Sequence, residues 1–336
     1  MNDILLGVDG GNTKTDFFLF DTQGACLAHL RTGTCSHEAL HGYGPAEEAL
    51  AAGLREVSFR AGLEPGRISS AVLGLAGVDI PSQYREMGRI VSEYLPKALV
   101  CNDSLLGVKA AAPDGVGLCC INGTGASVSG VDDTGRFYQA GGCGNITSDF
   151  AGGGFASVKV LQRVYDQCCR DGRETVLTPR VYRLLGLEEG ADLLEAFHPT
   201  NLSVKEYEKE LNLLLFRSAR EGDAVARDIL DDIAVTMAAT TAGCAGHLVF
   251  HSKLSVVMAG SLWVKGDYPP MVERYQEEVC RRLRRPVDFI LLQEPPALGA
   301  VYWAWQELAG GMPPWRVRDK IAAEMRRMVE EEAAVQ

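Results

Sequence analysis

The tightest constraint on how this chain can fold is that it states one local pattern twice. An apolar run, Ile4-Leu5-Leu6-Gly7-Val8, reaches Asp9-Gly10-Gly11-Asn12-Thr13. A second run follows from Thr15 to Phe20, then a turn at Asp21-Thr22-Gln23-Gly24 and a third run from Ala25 to Leu30. Later, Gly117-Leu118-Cys119-Cys120-Ile121 reaches Asn122-Gly123-Thr124-Gly125. Ser127 to Val131 follows, then Asp132-Asp133-Thr134-Gly135 and Arg136 to Ala140. Short apolar runs bounded by Gly, Asp and Asn read as strands joined by tight turns. A repeat of three strands in the same order points to two domains built alike. The 336 residues suit two domains of ~100–200 residues each.

Around the repeats the pattern alternates strand and helix. Pro45 to Ala61 carries apolar residues at helical spacing. Ala71 to Leu75 reads as a strand, Ser82 to Tyr94 as a helix, Leu99 to Cys101 as a short strand and Ser104 to Ala112 as a helix. The second half is helical from about 150 to 249, with strands at Leu254–Met258 and Val287–Leu292. Helices from Pro296 to Leu308 and from Trp315 close the chain. The expected class is α/β, with an amino-terminal domain over 1–114, a carboxy-terminal domain over 115–310 and a final helical segment over 311–336. Pro113-Asp114-Gly115 supplies turn chemistry for a hinge between them. The last helix has an apolar stripe (Ile321, Met325, Met328, Val329) that either packs back on the first domain or serves a dimer contact.

Several glycine-rich strand ends are candidates for chemistry. Asp9-Gly10-Gly11-Asn12-Thr13-Lys14 is either a plain hairpin turn or an anion site. In the second case consecutive backbone N–H groups form a concave nest, the Thr13 hydroxyl adds a donor, and Asp9 holds Mg²⁺ through water. The missing GK[ST] ending excludes a Walker loop, and no GxGxxG opens a helix as in a dinucleotide fold. Gly123-Thr124-Gly125 repeats the same logic, and two such facing loops would clamp a triphosphate. Between them in sequence, Cys101-Asn102-Asp103-Ser104 ends a strand where a helix begins. Asp103 is either the helix N-cap or a carboxylate at the cleft mouth that takes a proton from an attacking hydroxyl. Gly74 to Asp79, and Gly141-Gly142-Cys143-Gly144-Asn145 with Ser148-Asp149-Phe150, either line a substrate pocket or only make turns. Asp149 is the better anchor, placed to start a helix over Phe150–Arg170. Gly260, in Ala259-Gly260-Ser261, would let an adenine ring lie against the backbone.

Composition narrows the partners. With 44 acidic against 33 basic residues the net charge is −11, which disfavours nucleic acid and anionic membrane. The ten cysteines include two adjacent pairs but no CxxC. No secretory leader precedes the first strand, so a reducing cytoplasm is the expected compartment. The longest apolar run, Ile233 to Phe250, is rich in small residues and Thr. It reads as a buried helix lining a cleft, not as a membrane span.

Taken together these motifs resemble the actin-like ATPase superfamily (ribonuclease H-like domains around an interdomain cleft). More narrowly they resemble the BadF/BadG/BcrA/BcrD ATPase family and, within it, the N-acetylglucosamine kinases, over residues 4 to about 308. The resemblance implies ATP and Mg²⁺ as cofactors. Asp9, Gly10, Gly11, Asn12, Thr13 and Lys14 would form the first phosphate loop, and Gly123, Thr124 and Gly125 the second. Gly260 and Ser261 fall in the adenosine motif, and Asp103 stands where the family's sugar kinases carry their catalytic base. Ser36, His37, Gly77, Asn102, Gly142, Cys143 and Asp149 fall at acceptor positions. The sequence departs from the amino-sugar kinases at Ser148-Asp149-Phe150-Ala151-Gly152, where they carry Gly-Asp-Glu-Gly-Ser. It departs again at Ser36-His37 and at Cys143. The expected activity is phosphorylation of a small sugar, foremost an amino sugar such as N-acetylglucosamine, by a homodimer. The alternative is an ATPase activator of a 2-hydroxyacyl-CoA dehydratase, which requires cysteines gathered at a dimer axis to hold an iron–sulfur cluster.

Overall fold

The repeated pattern folds into two five-stranded sheets of one topology. The computed structural model describes residues 3–251 and 253–333. In the first half, β1 (Ile4–Gly10), β2 (Lys14–Asp21) and β3 (Cys26–Gly33) form an antiparallel meander. They are followed by α1 (Tyr43–Arg60), β4 (Ser70–Leu75), α2 (Pro81–Tyr94), β5 (Leu99–Cys101) and α3 (Ser104–Ala111). The strand order is β3-β2-β1-β4-β5, with β4 and β5 parallel to β1. The second half repeats the meander as β6 (Gly117–Asn122), β7 (Ala126–Val131) and β8 (Phe137–Gly141). It then inserts α4 (Gly152–Cys169), α5 (Leu177–Leu185), α6 (Leu193–Ala196), α7 (Glu208–Arg220) and α8 (Ala224–Ala245). β9 (Leu254–Ala259), α9 (Ser261–Val264), α10 (Pro269–Leu283) and β10 (Val287–Leu291) complete a sheet ordered β10-β9-β6-β7-β8. In each sheet the parallel strands end on the same edge, which is where open α/β sheets place their ligands.

Both faces of the first sheet are covered, which is why its strands read as continuous apolar runs. Phe17 and Leu19 face the cluster built with α1 and α2. Phe18 and Phe20 face the opposite way, toward α11 (Ala297–Ala309) and α12 (Trp315–Ala333). α3 and α11 cross between the two sheets. α11 lies on β1 and β4, whereas α3 also touches β6, β7 and β9. The crossing is close: a Cβ on Gly299 would sit 1.9 Å from the Leu106 carbonyl oxygen, so only glycine fits. The small residues Ala300 and Ala304 let α11 lie flush on the first sheet. α12 lies against β3, where Lys320 donates to the Gln23 carbonyl at 2.9 Å.

Two further elements differ from the sequence reading. The apolar helix expected from Ile233 begins earlier, at Ala224, because Asp223 caps it by accepting from the Ala226 N–H at 2.7 Å. It is a core helix against α10 and the second sheet, and none of its residues lines the interdomain cleft. The helix expected at Phe150 starts only at Gly152. Among the described residues, no helix is long and apolar enough to cross a membrane.

Candidate active site

The two glycine loops are hairpin turns with their carbonyls engaged. In the β1–β2 turn, the Gly11 N–H donates to the Lys14 carbonyl at 2.9 Å and the Thr34 hydroxyl donates to the Gly11 carbonyl at 2.8 Å. In the β6–β7 turn, the Gly123 and Thr124 carbonyls accept from the Gly153 and Gly154 N–H groups at 2.7 and 3.0 Å. This docks the first turn of α4 on the loop. The backbone N–H groups of Asn12, Thr13, Thr124 and Gly125 have no hydrogen-bond partner among the described residues. Two turns that spend their acceptors internally and keep two N–H donors each form facing anion nests. Gly260, at φ +101°, brings the β9–α9 turn and Ser261 against the second loop; a Cβ there would meet the Asn122 carbonyl at 2.5 Å.

Carboxylates gather where the parallel strands end. Asp103 makes no capping hydrogen bond to α3. Its neighbour Asn102 does the work, with Oδ1 accepting from the Ser104 N–H at 2.9 Å and from the Ser104 hydroxyl. The Asp103 carboxyl faces the cleft, where burial, and then the charge of Asp79, push it up to about 6 against the backbone N–H groups of Ser104 and of Asp103 itself, which lower it. Asp9 is pushed up to about 7, chiefly by burial and then by Asp103 and Asp16. Asp16 stands across the β1–β2 pair from Asp9 and behaves oppositely. Burial works against its ionisation, but hydrogen bonds from His29, Arg31 and Lys14 outweigh it and hold the carboxyl far below the usual range. The cleft between the halves measures about 580 Å³, within the ~300–1,000 Å³ of small-molecule sites. Asn12, both sides of the second loop, Asn102, Asp103 and Phe155 line it. Its described lining holds four carboxylates, Glu38, Asp79, Asp103 and Asp149, and no Lys, Arg or His. A larger depression of about 710 Å³ lies at the far end of the first sheet, around Asp3, Ser69 and Lys97, away from both loops.

The model of the BadF/BadG/BcrA/BcrD ATPase family matches residues 6–304. The chain belongs to this ATPase family. An N-acetyl-D-glucosamine kinase of Dictyostelium discoideum is 27% identical over 244 residues, 69% of this chain and 76% of the relative. Among solved structures, a Chromobacterium violaceum protein assigned as an N-acetylglucosamine kinase aligns with TM-score 0.65 at 20% identity, over 89% of this chain and 98% of that one. A ROK family glucokinase from Streptomyces griseus, solved with glucose and AMPPNP, aligns with TM-score 0.56 at 19% identity, over 90% and 99%. The shared architecture is the two-domain actin-like ATPase fold.

In this family member the expected site residues divide into three groups. Asn12, Gly77, Asn102, Asp103, Gly123, Thr124, Gly125, Gly142 and Asp149 all line the cleft. Asp9, Gly10, Gly11, Thr13, Lys14, Gly260 and Ser261 lie in or beside the loops without lining it, and the Lys14 ammonium is on Asp16 at 3.0 Å. Ser36, His37 and Cys143 do not line it. Ser36 and His37 are buried behind it, His37 stacked on Tyr43, while Cys143 is exposed and turned away. Glu38 takes the place expected of Ser36 and His37, because the turn after β3 exposes the next side chain. Asp149 does not start α4. Its Oδ2 accepts from the Gly142 and Gly144 N–H groups and the Thr147 hydroxyl at 2.9, 2.7 and 2.7 Å, closing the loop on itself. Glu38 and Gln139 carry no local signal that sequence reasoning could have used. Asp79 does, as the acid ending Gly74–Asp79.

Proposed function

We propose that this chain transfers the γ-phosphoryl group of ATP to a hydroxyl of a small sugar, foremost an amino sugar such as N-acetylglucosamine. The observation that carries the reading is Asp103, whose carboxyl faces the cleft between two donor loops and makes no structural capping bond. Phosphoryl transfer needs little covalent help from the protein beyond positioning, charge stabilisation and a proton acceptor.

The residues present fit ATP. The unpartnered N–H groups of Asn12, Thr13, Thr124 and Gly125 suit phosphate oxygens, and the flush β9–α9 turn at Gly260 and Ser261 suits a nucleoside. They also fit Mg²⁺. Asp9 is held up at about 7 by burial and by its acidic neighbours, and a divalent cation would relieve that cost. No cluster of three or more His, Cys, Asp or Glu converges among the described residues. Asp9 would accordingly anchor the ion through water, as a hydrated hard cation allows. Bound Mg-ATP supplies a γ-phosphoryl group whose charge is partly neutralised. The chain's own part is to accept the acceptor's hydroxyl proton on Asp103 and to exclude bulk water between the halves. A lining whose described charged groups are all carboxylates favours an acceptor that is neutral or carries an amine.

The test is ADP release with Mg-ATP over a panel of hexoses, amino sugars and polyols. Sugar-stimulated release is the expected result. ATP hydrolysis indifferent to every sugar would overturn the kinase reading.

A further inference from the structure

Asp79 belongs to the first half and Gln139 to the second, yet their side chains meet across the cleft. Asp79 lies in the turn that carries β4 toward α2, and Gln139 sits on β8, the edge strand of the second sheet. The Gln139 side-chain amide donates to Asp79 Oδ1 at 2.8 Å and to the Gly141 carbonyl at 3.3 Å, which fixes its orientation. The same Asp79 oxygen accepts from the Asn102 amide at 2.8 Å, and that amide also donates to the Val78 carbonyl at 3.3 Å. Asn102 in turn holds the start of α3, so one carboxylate ties the second half to the backbone next to Asp103. Beside this link the Tyr84 ring, on α2, meets the Phe137 ring, on β8, with centroids 5.4 Å apart.

We infer that Asp79 is a positioning residue for the transfer, and that with Gln139 it forms a clasp that opens to admit the acceptor and closes to set Asp103 in register with the second half. The inference rests on the phosphotransfer reading above. The hydrogen bond and the ring contact join the two halves, the first of them in the lining of the cleft, so a separation of the halves that admits the acceptor breaks both and reclosure re-forms them. Lid and domain motions of this kind gate many transferases, and small losses of register cost rate steeply. The polarity of the clasp is specific. Asp79 offers only acceptors, whereas Gln139 offers a donor.

That polarity makes a swap decisive. Gln139→Glu sets two carboxylates against each other, and kcat/KM for the best sugar is expected to fall about 10–100-fold with ATP binding kept. Adding Asp79→Asn removes the repulsion and puts a donor opposite the new carboxylate; Asp79 serves Gln139 and Asn102 through one oxygen, so the Asn102 amide then keeps its bond to the Val78 carbonyl. The pair should recover to within about five-fold of the parent, the recovery that coupled neighbours give in a double-mutant cycle. Loss without recovery, or no loss in Gln139→Glu and Gln139→Ala, overturns the clasp. X-ray scattering with AMPPNP reads it without any acceptor. Gln139→Glu should be less compact than the parent and the swap pair equal to it, and equal compaction in all three also overturns it. If no sugar stimulates ADP release from the parent, the phosphotransfer reading fails, and the scattering result still decides the clasp.

Discussion

Asp103 is ionised only above about pH 6, because burial and the neighbouring Asp79 charge both disfavour its anion. Only the anion can accept a proton, so kcat/KM should decline as pH falls through about 6 and level off above it. Asp103→Asn keeps the shape and removes the base. A loss of about 10²–10⁴-fold in kcat with nucleotide affinity kept is expected, and a variant that retained most of its rate would remove Asp103 from that role. Asp9 gives the opposite kind of prediction, one of stability. Its folded pKa of about 7 lies above the reference 3.8, so the folded chain holds a proton that the unfolded chain has released. Its stabilising contribution is full below about pH 4 and is lost as pH rises through 7. Asp9→Asn should therefore raise the metal-free melting temperature at pH 8 by roughly 2–4 °C, about 1 kcal/mol for a domain of this size, and change little at pH 4. An equal melting shift at both pH values would show that the buried charge is not the cause. His37 shows the limit of residue-level reading. The family resemblance places it at the acceptor, but its ring stacks on Tyr43 and it is 8% exposed, which leaves Glu38 in the cleft.

Among the elements, the strands were legible because each is a short apolar run bounded by turn residues, and their ends differ from the sequence reading by three positions at most. Helix starts were less legible, since they depend on which polar side chain captures the free N–H groups. Asp223 captures those of α8, whereas Asp149 turns to its own loop. Contacts between distant elements leave no local period at all, and α11 on β1 is such a case. The glycines of two helices separate these situations by experiment. Gly299 faces the Leu106 carbonyl at the α3–α11 crossing, so Gly299→Ala should cost about 2–4 kcal/mol by overpacking. Gly88 lies in α2 with nothing within 4 Å of an added Cβ, so Gly88→Ala should instead stabilise by about 0.5–1 kcal/mol through helix propensity. Urea titration of both variants checks the pair. The same sign for both would mean that the crossing has room for a methyl group at Gly299.

For the whole molecule, the duplication predicted two like sheets, and strand orders β3-β2-β1-β4-β5 and β8-β7-β6-β9-β10 realise it. What the sequence left open was how the halves face each other, because the residues that decide it, Asp79 and Gln139, are 60 positions apart. That facing concentrates charge of one sign. The chain carries −11 overall, and its cleft gathers four of the carboxylates with no Lys, Arg or His in the described lining. One nearby cation, Lys159, is held over the Phe155 ring at 5.2 Å. A cleft with low-dielectric walls focuses such a field. An acceptor that brings its own carboxylate or phosphate should therefore bind worse than its neutral parent, and one bearing an ammonium group better. The effect is electrostatic, so it should shrink with salt as the Debye length falls from about 10 Å at 0.1 M to about 3 Å at 1 M. Measuring KM for a neutral hexose, its amino analogue and its uronic acid at both ionic strengths separates this field from shape. Three KM values that kept the same ratios at low and high salt would mean that the carboxylates act through hydrogen-bond geometry, and the acidity of the cleft would then not select the substrate.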